Sequence, residues 1–225
     1  MGFARDQDVT VQVGGVQVRG ILSLPDGASG IVVFAHGSGS SRHSPRNRYV
    51  ATTLHRAGLA TLLFDLLTPA EDADRANVFD IDLLARRLID ATTCLSSRPD
   101  TRHLRISYFG ASTGAAAALS AAADPRARVV AIVSRGGRPD LAGAVLGRVR
   151  APTLLIVGGH DEVVLGLNRG AQATLRCENR LEIVPGATHL FEEPGAIERV
   201  AELAAAWFNT HLTAASEAEP RDGHC

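Results

Sequence analysis

The stretch Tyr108–Leu119, YFGASTGAAAAL, sets Ser112 between Gly110 and Gly114, where an apolar run gives way to an alanine-rich one. A serine there has two uses. It can cap a helix, or it can be a nucleophile mounted on a tight strand-to-helix turn of the form G-x-S-x-G. A hydroxyl is a poor nucleophile near neutral pH, so the second use requires a base. Eight histidines are available. His43, His55, His103, His211 and His224 fall in helical stretches, loops or the tail. His36 stands among glycines, where a structural hydrogen-bonding role is expected, and His160 directly precedes an acid, which suits neither orientation. His189, in PGATHLF, follows the last apolar run and precedes the last helical stretch. The base in turn needs a carboxylate to orient it and to stabilise its positive form. Asp161, in VGGHDEVV, and Asp65, in LLFDLL, both follow apolar runs; Asp161 lies between Ser112 and His189 in the chain, and Asp65 comes before the serine.

These residues matter only if the fold brings them together. Val9, Val11 and Val13 alternate with polar residues, and Val16 and Val18 resume the alternation after Gly14-Gly15. That pattern predicts a β-hairpin, because two-residue hairpin loops need positive φ. Continuous apolar runs follow at Ile31–Ala35, Leu59–Phe64, Ile106–Phe109, Val129–Val133, Thr153–Val157 and Leu181–Val184. Short runs without alternation predict strands buried on both faces, as in a parallel sheet. Between them, Phe79–Leu95, Ser112–Ala123 and Ile197–Leu212 carry apolar residues at helical spacing or a run of alanines. Ser44, Pro45 and Gly58 supply the start and stop signals of another helix. The expected architecture is α/β: a mostly parallel sheet with an N-terminal hairpin and helices on both faces. One domain is expected over residues 1–212, and a polar, acidic, disordered tail over 213–225.

In open parallel sheets, sites gather beyond the carboxyl ends of the strands. The residues there are HGSGSS, Asp65, GASTG, SRGGRPD, GGHDE and PGATHLF in turn, so reactive types collect along one sheet edge. On these motifs the chain resembles the α/β-hydrolase superfamily, and most closely its small, lidless, dienelactone-hydrolase-like members, over roughly residues 16–212. The resemblance implies the chain order Ser112, Asp161, His189 for a catalytic triad. It also implies an oxyanion hole made by the amide of Thr113 and by one from HGSGS, either Ser38 or, failing that, Gly39. One departure limits it: strict dienelactone hydrolases use a cysteine nucleophile, whereas position 112 is serine and neither Cys94 nor Cys177 is at an elbow. The stretch Ser134–Pro152, where larger relatives insert a lid, is short and has room for one short helix.

The expected function is therefore a cofactor-independent, metal-free serine hydrolase cleaving carboxylic esters of small to medium acyl groups through an acyl-enzyme. Lactones and thioesters are alternatives, as is a ligand-binding member that has lost turnover. Arg42, Arg46, Arg48, Arg135 and Arg138 lie near the proposed site, and Arg135 is the best candidate to receive an anionic substrate group. The counterweight is composition, since all 23 basic residues are arginine. A net charge of -1 gives no electrostatic case for nucleic acid or an anionic membrane as partner, which leaves a small-molecule ester. No apolar stretch is long enough to span a bilayer, and residues 1–13 lack the apolar core of a signal peptide, so a cytoplasmic location is expected. Three widely spaced cysteines imply neither disulfides nor a metal site. A homodimer and a monomer both remain open.

Overall fold

The alternating valines form the predicted hairpin. The strands β1 (Arg5–Val13) and β2 (Val16–Leu24) pair antiparallel with Val13 opposite Val16, and the connecting Gly14 and Gly15 both have positive φ, 51° and 82°. The computed structural model describes residues 5–218. The remaining strands are β3 (Ile31–Ala35), β4 (Ala60–Phe64), β5 (Ile106–Ala111), β6 (Ile132–Arg135), β7 (Thr153–Gly158) and β8 (Asn179–Val184). Together they make one eight-stranded sheet in the order β1-β2-β4-β3-β5-β6-β7-β8, parallel from β4 to β8 and antiparallel at the hairpin edge. The helices are α1 (Pro45–Arg56), α2 (Pro69–Asp72), α3 (Arg75–Val78), α4 (Ile81–Ser97), α5 (Thr113–Ala122), α6 (Glu162–Thr174) and α7 (Ala196–Ala218).

Continuous apolar runs work here because each strand feeds two cores by turns. Along β3, Ile31, Val33 and Ala35 join the cluster beneath α4 and α5, while Val32 and Phe34 join the one shared with α1 and α7. Strands β4 to β7 divide their residues in the same way, with Tyr108 on one side and Phe109 on the other. Helices therefore cover both faces, as the parallel-sheet expectation requires.

Several boundaries differ from expectation. The strand expected at Val129–Val133 lies at Ile132–Arg135, because Val129 and Val130 follow the left-handed Arg128 and still belong to the entering turn. The run Leu181–Val184 is not buried on both faces. It belongs to the edge strand β8, and Ile183 is 42% exposed. Helix α6 and the short α2 and α3 are not among the expected elements. The lid position holds a 3₁₀ segment at Pro139–Arg148, kinked at Gly143. The stretch expected to be a tail from residue 213 is helical as far as Ala218, and 219–225 lie outside the described residues. Among the described residues no helix is long and apolar enough to cross a membrane.

Candidate active site

Strand β5 delivers its last residue, Ala111, directly into the turn at Ser112, and α5 starts at Thr113. Ser112 occupies the N-cap position yet makes no side-chain cap hydrogen bond. Its backbone sits at φ 51°, ψ -122°, a conformation that costs a non-glycine residue about 1–3 kcal/mol. A serine present only as a cap has extended backbone and spends its oxygen on the helix; this one does neither. The turn is held by backbone bonds, from Ser112 N–H to Arg135 O (3.2 Å) and to Ser112 O from Arg138 N–H (3.1 Å).

The flanking glycines are required by space. A Cβ on Gly110 would lie 2.4 Å from Ala115 Cα, and one on Gly114 would lie 2.2 Å from Ala35 O and 2.5 Å from His36 O. Without those side chains α5 packs against the ends of β3 and β5, which brings the elbow beside the HGSGS loop. There a Cβ on Gly37 would sit 3.7 Å from Ser112 Oγ.

The expected acid and base come from the next strand ends. Asp161 is the N-cap residue of α6, again without a side-chain cap bond. Its Oδ2 instead meets His189 Nδ1 at 2.6 Å. A carboxylate only accepts, so Nδ1 carries the proton, and in the neutral ring Nε2 is left with a lone pair. The loop bearing His189 is pressed against β7, where a Cβ on Gly158 would meet Ala187 O at 2.3 Å. It also accepts His160 N–H at Ala187 O, 2.9 Å. Gly136, just past β6, borders both: a Cβ there would lie 3.6 Å from His189 Cε1, and the preceding residue, Arg135, accepts the Ser112 amide, while no hydrogen bond joins Ser112 Oγ to His189 among the described residues. Phe191, two residues beyond His189, is another non-glycine at positive φ (55°) and is fully buried.

The competing groups are occupied elsewhere. Asp65 accepts from the Arg42 amide (2.9 Å) and pairs with its guanidinium. His36 donates from Nδ1 to Gly37 O (3.0 Å) and accepts from Leu66 N–H at Nε2 (3.1 Å). Burial pushes its pKa below the ordinary imidazole value. It is a neutral strut between the HGSGS loop and the end of β4. The expected oxyanion donors lie side by side, with one difference. Thr113 N–H, at the first turn of α5, has no helical partner, but Ser38 N–H donates to Thr113 Oγ1 at 2.9 Å. That bond depends on a side-chain rotamer and left no mark in the spacing of motifs.

Of the five arginines singled out, three are paired: Arg42 with Asp65, Arg46 with Glu192 (3.0 Å) and Arg138 with Asp140 (2.7 Å). Arg48 lines a different hollow of about 760 Å³ between α1 and β2, with Asp6, Ser23 and His55, and that hollow includes none of Ser112, Asp161 or His189. Arg135 is buried, and its Nε and Nη1 have no hydrogen-bond partner. Burial, with Arg46 nearby, pulls its pKa down to about 10. Cys94 and Cys177 are free thiols away from these strand ends.

No protein-family model matches the chain. Two strains of Mycobacterium tuberculosis hold a protein provisionally named a phosphoribosyl transferase that is 66% identical over 208 residues, covering 92% of this chain and 47% of that protein. The chain thus spans about half the length of these curated relatives. Among solved structures, a dienelactone hydrolase from Anabaena variabilis superimposes with a TM-score of 0.90 at 56% identity, covering 93% of this chain and 99% of that one. Est1E from Butyrivibrio proteoclasticus shares the fold, with a TM-score of 0.77 at 15% identity, covering 92% of this chain and 99% of its own.

Proposed function

The chain belongs to the α/β-hydrolase superfamily, in its dienelactone-hydrolase-like group, and on that premise we propose that it is a serine hydrolase of carboxylic esters with small to medium acyl groups. Ser112 Oγ attacks the ester carbonyl while His189 Nε2 takes its proton. The same nitrogen returns that proton to the departing alcohol, and Asp161 holds the ring and stabilises its charged form. The negative oxygen of the tetrahedral intermediate is received by the Thr113 amide at the head of α5 and by Ser38 N–H, which turns to it from the neutral hydroxyl of Thr113. A charged acceptor makes the stronger bond. Water then repeats the sequence on the acyl-enzyme.

The observation that carries this reading is Ser112 itself, held at positive φ with its hydroxyl withheld from the helix it precedes. Strain of this kind persists where the surrounding structure imposes it, and a plain helix start has no use for it. The phosphoribosyl transferase name attaches to proteins about twice as long as the segment matched here.

A fluorophosphonate probe followed by intact-mass measurement tests the assignment. One adduct is expected on the wild-type chain and none on Ser112→Ala. A folded wild-type protein that stays unlabelled and does not cleave phenyl acetate would instead favour a ligand-binding member of the fold.

A further inference from the structure

Asn168 is fully buried on the face of α6 that also carries Val164 and Ala171. Its Nδ2 donates to Val164 O (2.8 Å), one turn back on the same helix, and to Gly137 O (2.9 Å) in the loop that follows β6. Only the donor end of an amide can face two carbonyl oxygens, which settles the way the group points. Its Oδ1 has no hydrogen-bond partner among the described residues. A buried amide with one end unpaired is costly, and an apolar side chain would serve packing alone better. The bond to Gly137 is what such a residue gains.

That bond reaches the proposed nucleophile through one peptide unit. A peptide group is planar and rigid, so the oxygen of Gly137 and the N–H of Arg138 move together. The Arg138 N–H donates to Ser112 O at 3.1 Å. On the other side Ser112 N–H donates to Arg135 O (3.2 Å), and Gly136 N–H ties the loop to Ile156 O of β7 (2.8 Å). Both backbone groups of Ser112 are thus held by the stretch 135–138. The loop is also closely packed there, since a Cβ on Gly137 would lie 2.0 Å from Ser134 Oγ and 2.6 Å from Ala115 Cβ. A non-glycine residue keeps φ 51° only where its surroundings impose it, and Asn168 is the side chain that anchors those surroundings.

We propose that Asn168 is a positioning residue for Ser112: by fixing the 137–138 peptide it holds the Ser112 carbonyl, keeps the turn at positive φ and sets Oγ relative to the loop bearing His189. The role rests on the serine-hydrolase reading and adds to it a sealed residue that touches no substrate. Asp161, the partner of His189, is the N-cap of the same helix. Helix α6 therefore places the acid by its first turn and braces the nucleophile by a side chain from its middle.

Asn168→Ala removes the donor and leaves a good helix former. It should lower kcat for phenyl acetate and the rate of fluorophosphonate labelling together, by roughly tenfold to a hundredfold, the range for a reacting atom displaced by up to about 1 Å. KM should stay within about threefold, as when an interaction matters only in the transition state. Asn168→Asp is the rescue. A carboxyl sealed between two carbonyl oxygens stays protonated above its ordinary range, and its O–H can donate to Gly137 O. That variant should therefore run at least about fivefold faster than Asn168→Ala. Ala171→Gly, buried further along α6, should lower Tm through its cost to the helix while keeping kcat near wild type. Asn168→Ala rates within about twofold of wild type, an aspartate variant no faster than the alanine one, or an equal rate loss in Ala171→Gly would each overturn the role. If Asn168→Ala does not fold, Asn168→Leu, which keeps the branched shape without the donor, takes its place in the same comparison. A folded wild-type chain that neither takes the label nor cleaves phenyl acetate would defeat the hydrolase reading itself, a separate result.

Discussion

Replacing Gly114 by alanine tests whether the elbow depends on close packing of α5 against β3. The added Cβ would lie 2.2 Å from Ala35 O and 2.5 Å from His36 O, both backbone atoms that cannot rotate away. An ordinary carbon–oxygen contact is about 3.3–3.6 Å, so the helix must retreat by about 1 Å or the HGSGS loop must move. Overpacking of this kind costs about 1–3 kcal/mol, only partly offset by the better helix propensity of alanine. The net cost is then up to about 2 kcal/mol; at this chain length each kcal/mol lowers Tm by about 2–4 °C, so a drop of up to about 8 °C is expected. The retreat also shifts Ser112 and Thr113 relative to Ser38, and a misplacement near 1 Å costs on the order of 100-fold in rate. Gly166→Ala is the control: it lies in α6 with nothing within 4 Å of a built Cβ and no positive φ. It should gain about 0.4–1 kcal/mol and keep its activity. Thermal unfolding and ester turnover measured on the same preparations decide the matter. A Gly114→Ala enzyme with wild-type Tm and kcat would refute the packing argument.

Two further outcomes are expected. Asp161→Asn should keep the fold and KM while lowering kcat by roughly 10³–10⁴, because an amide can donate to Nδ1 and drive the proton to Nε2, where it blocks the Ser112 transfer; steady-state kinetics on phenyl acetate would show it, and a loss below tenfold would contradict it. Burial holds His36 and His55 below the imidazole value of the unfolded chain, so as pH falls through and below about 6.5 the unfolded state takes up more protons and stability declines. Urea unfolding at pH 7.5 and 5.5 should register that decline, and His55→Gln should shrink it; equal declines in both proteins would remove His55 as a source.

What could be read from the residues, and what could not, divides along the range of the interactions involved. Strands β3, β4, β5 and β7 announce themselves because a strand feeding two cores is apolar at most positions, a property local to five or six residues. The edge strand β8 carries much the same apolar signal at Leu181–Val184 without that burial, since only its place in the sheet exposes Ile183. Helix α6 was hidden by Gly166 and Gly170, which weaken the helical pattern, and by Asp161, whose cap position is used for His189 instead. Ser112, Asp161 and His189 were legible because each stands just after a strand, and a parallel sheet brings such positions to one edge. Charge pairing has no such local signature. Arg46 meets a glutamate 146 positions away, and Arg42 an aspartate 23 positions away. In a chain whose basic residues are all arginine, composition treats Arg87 and Arg135 alike. One lies against a carboxylate and the other near the ring of Phe191, on the loop that bears His189, a difference composition cannot show.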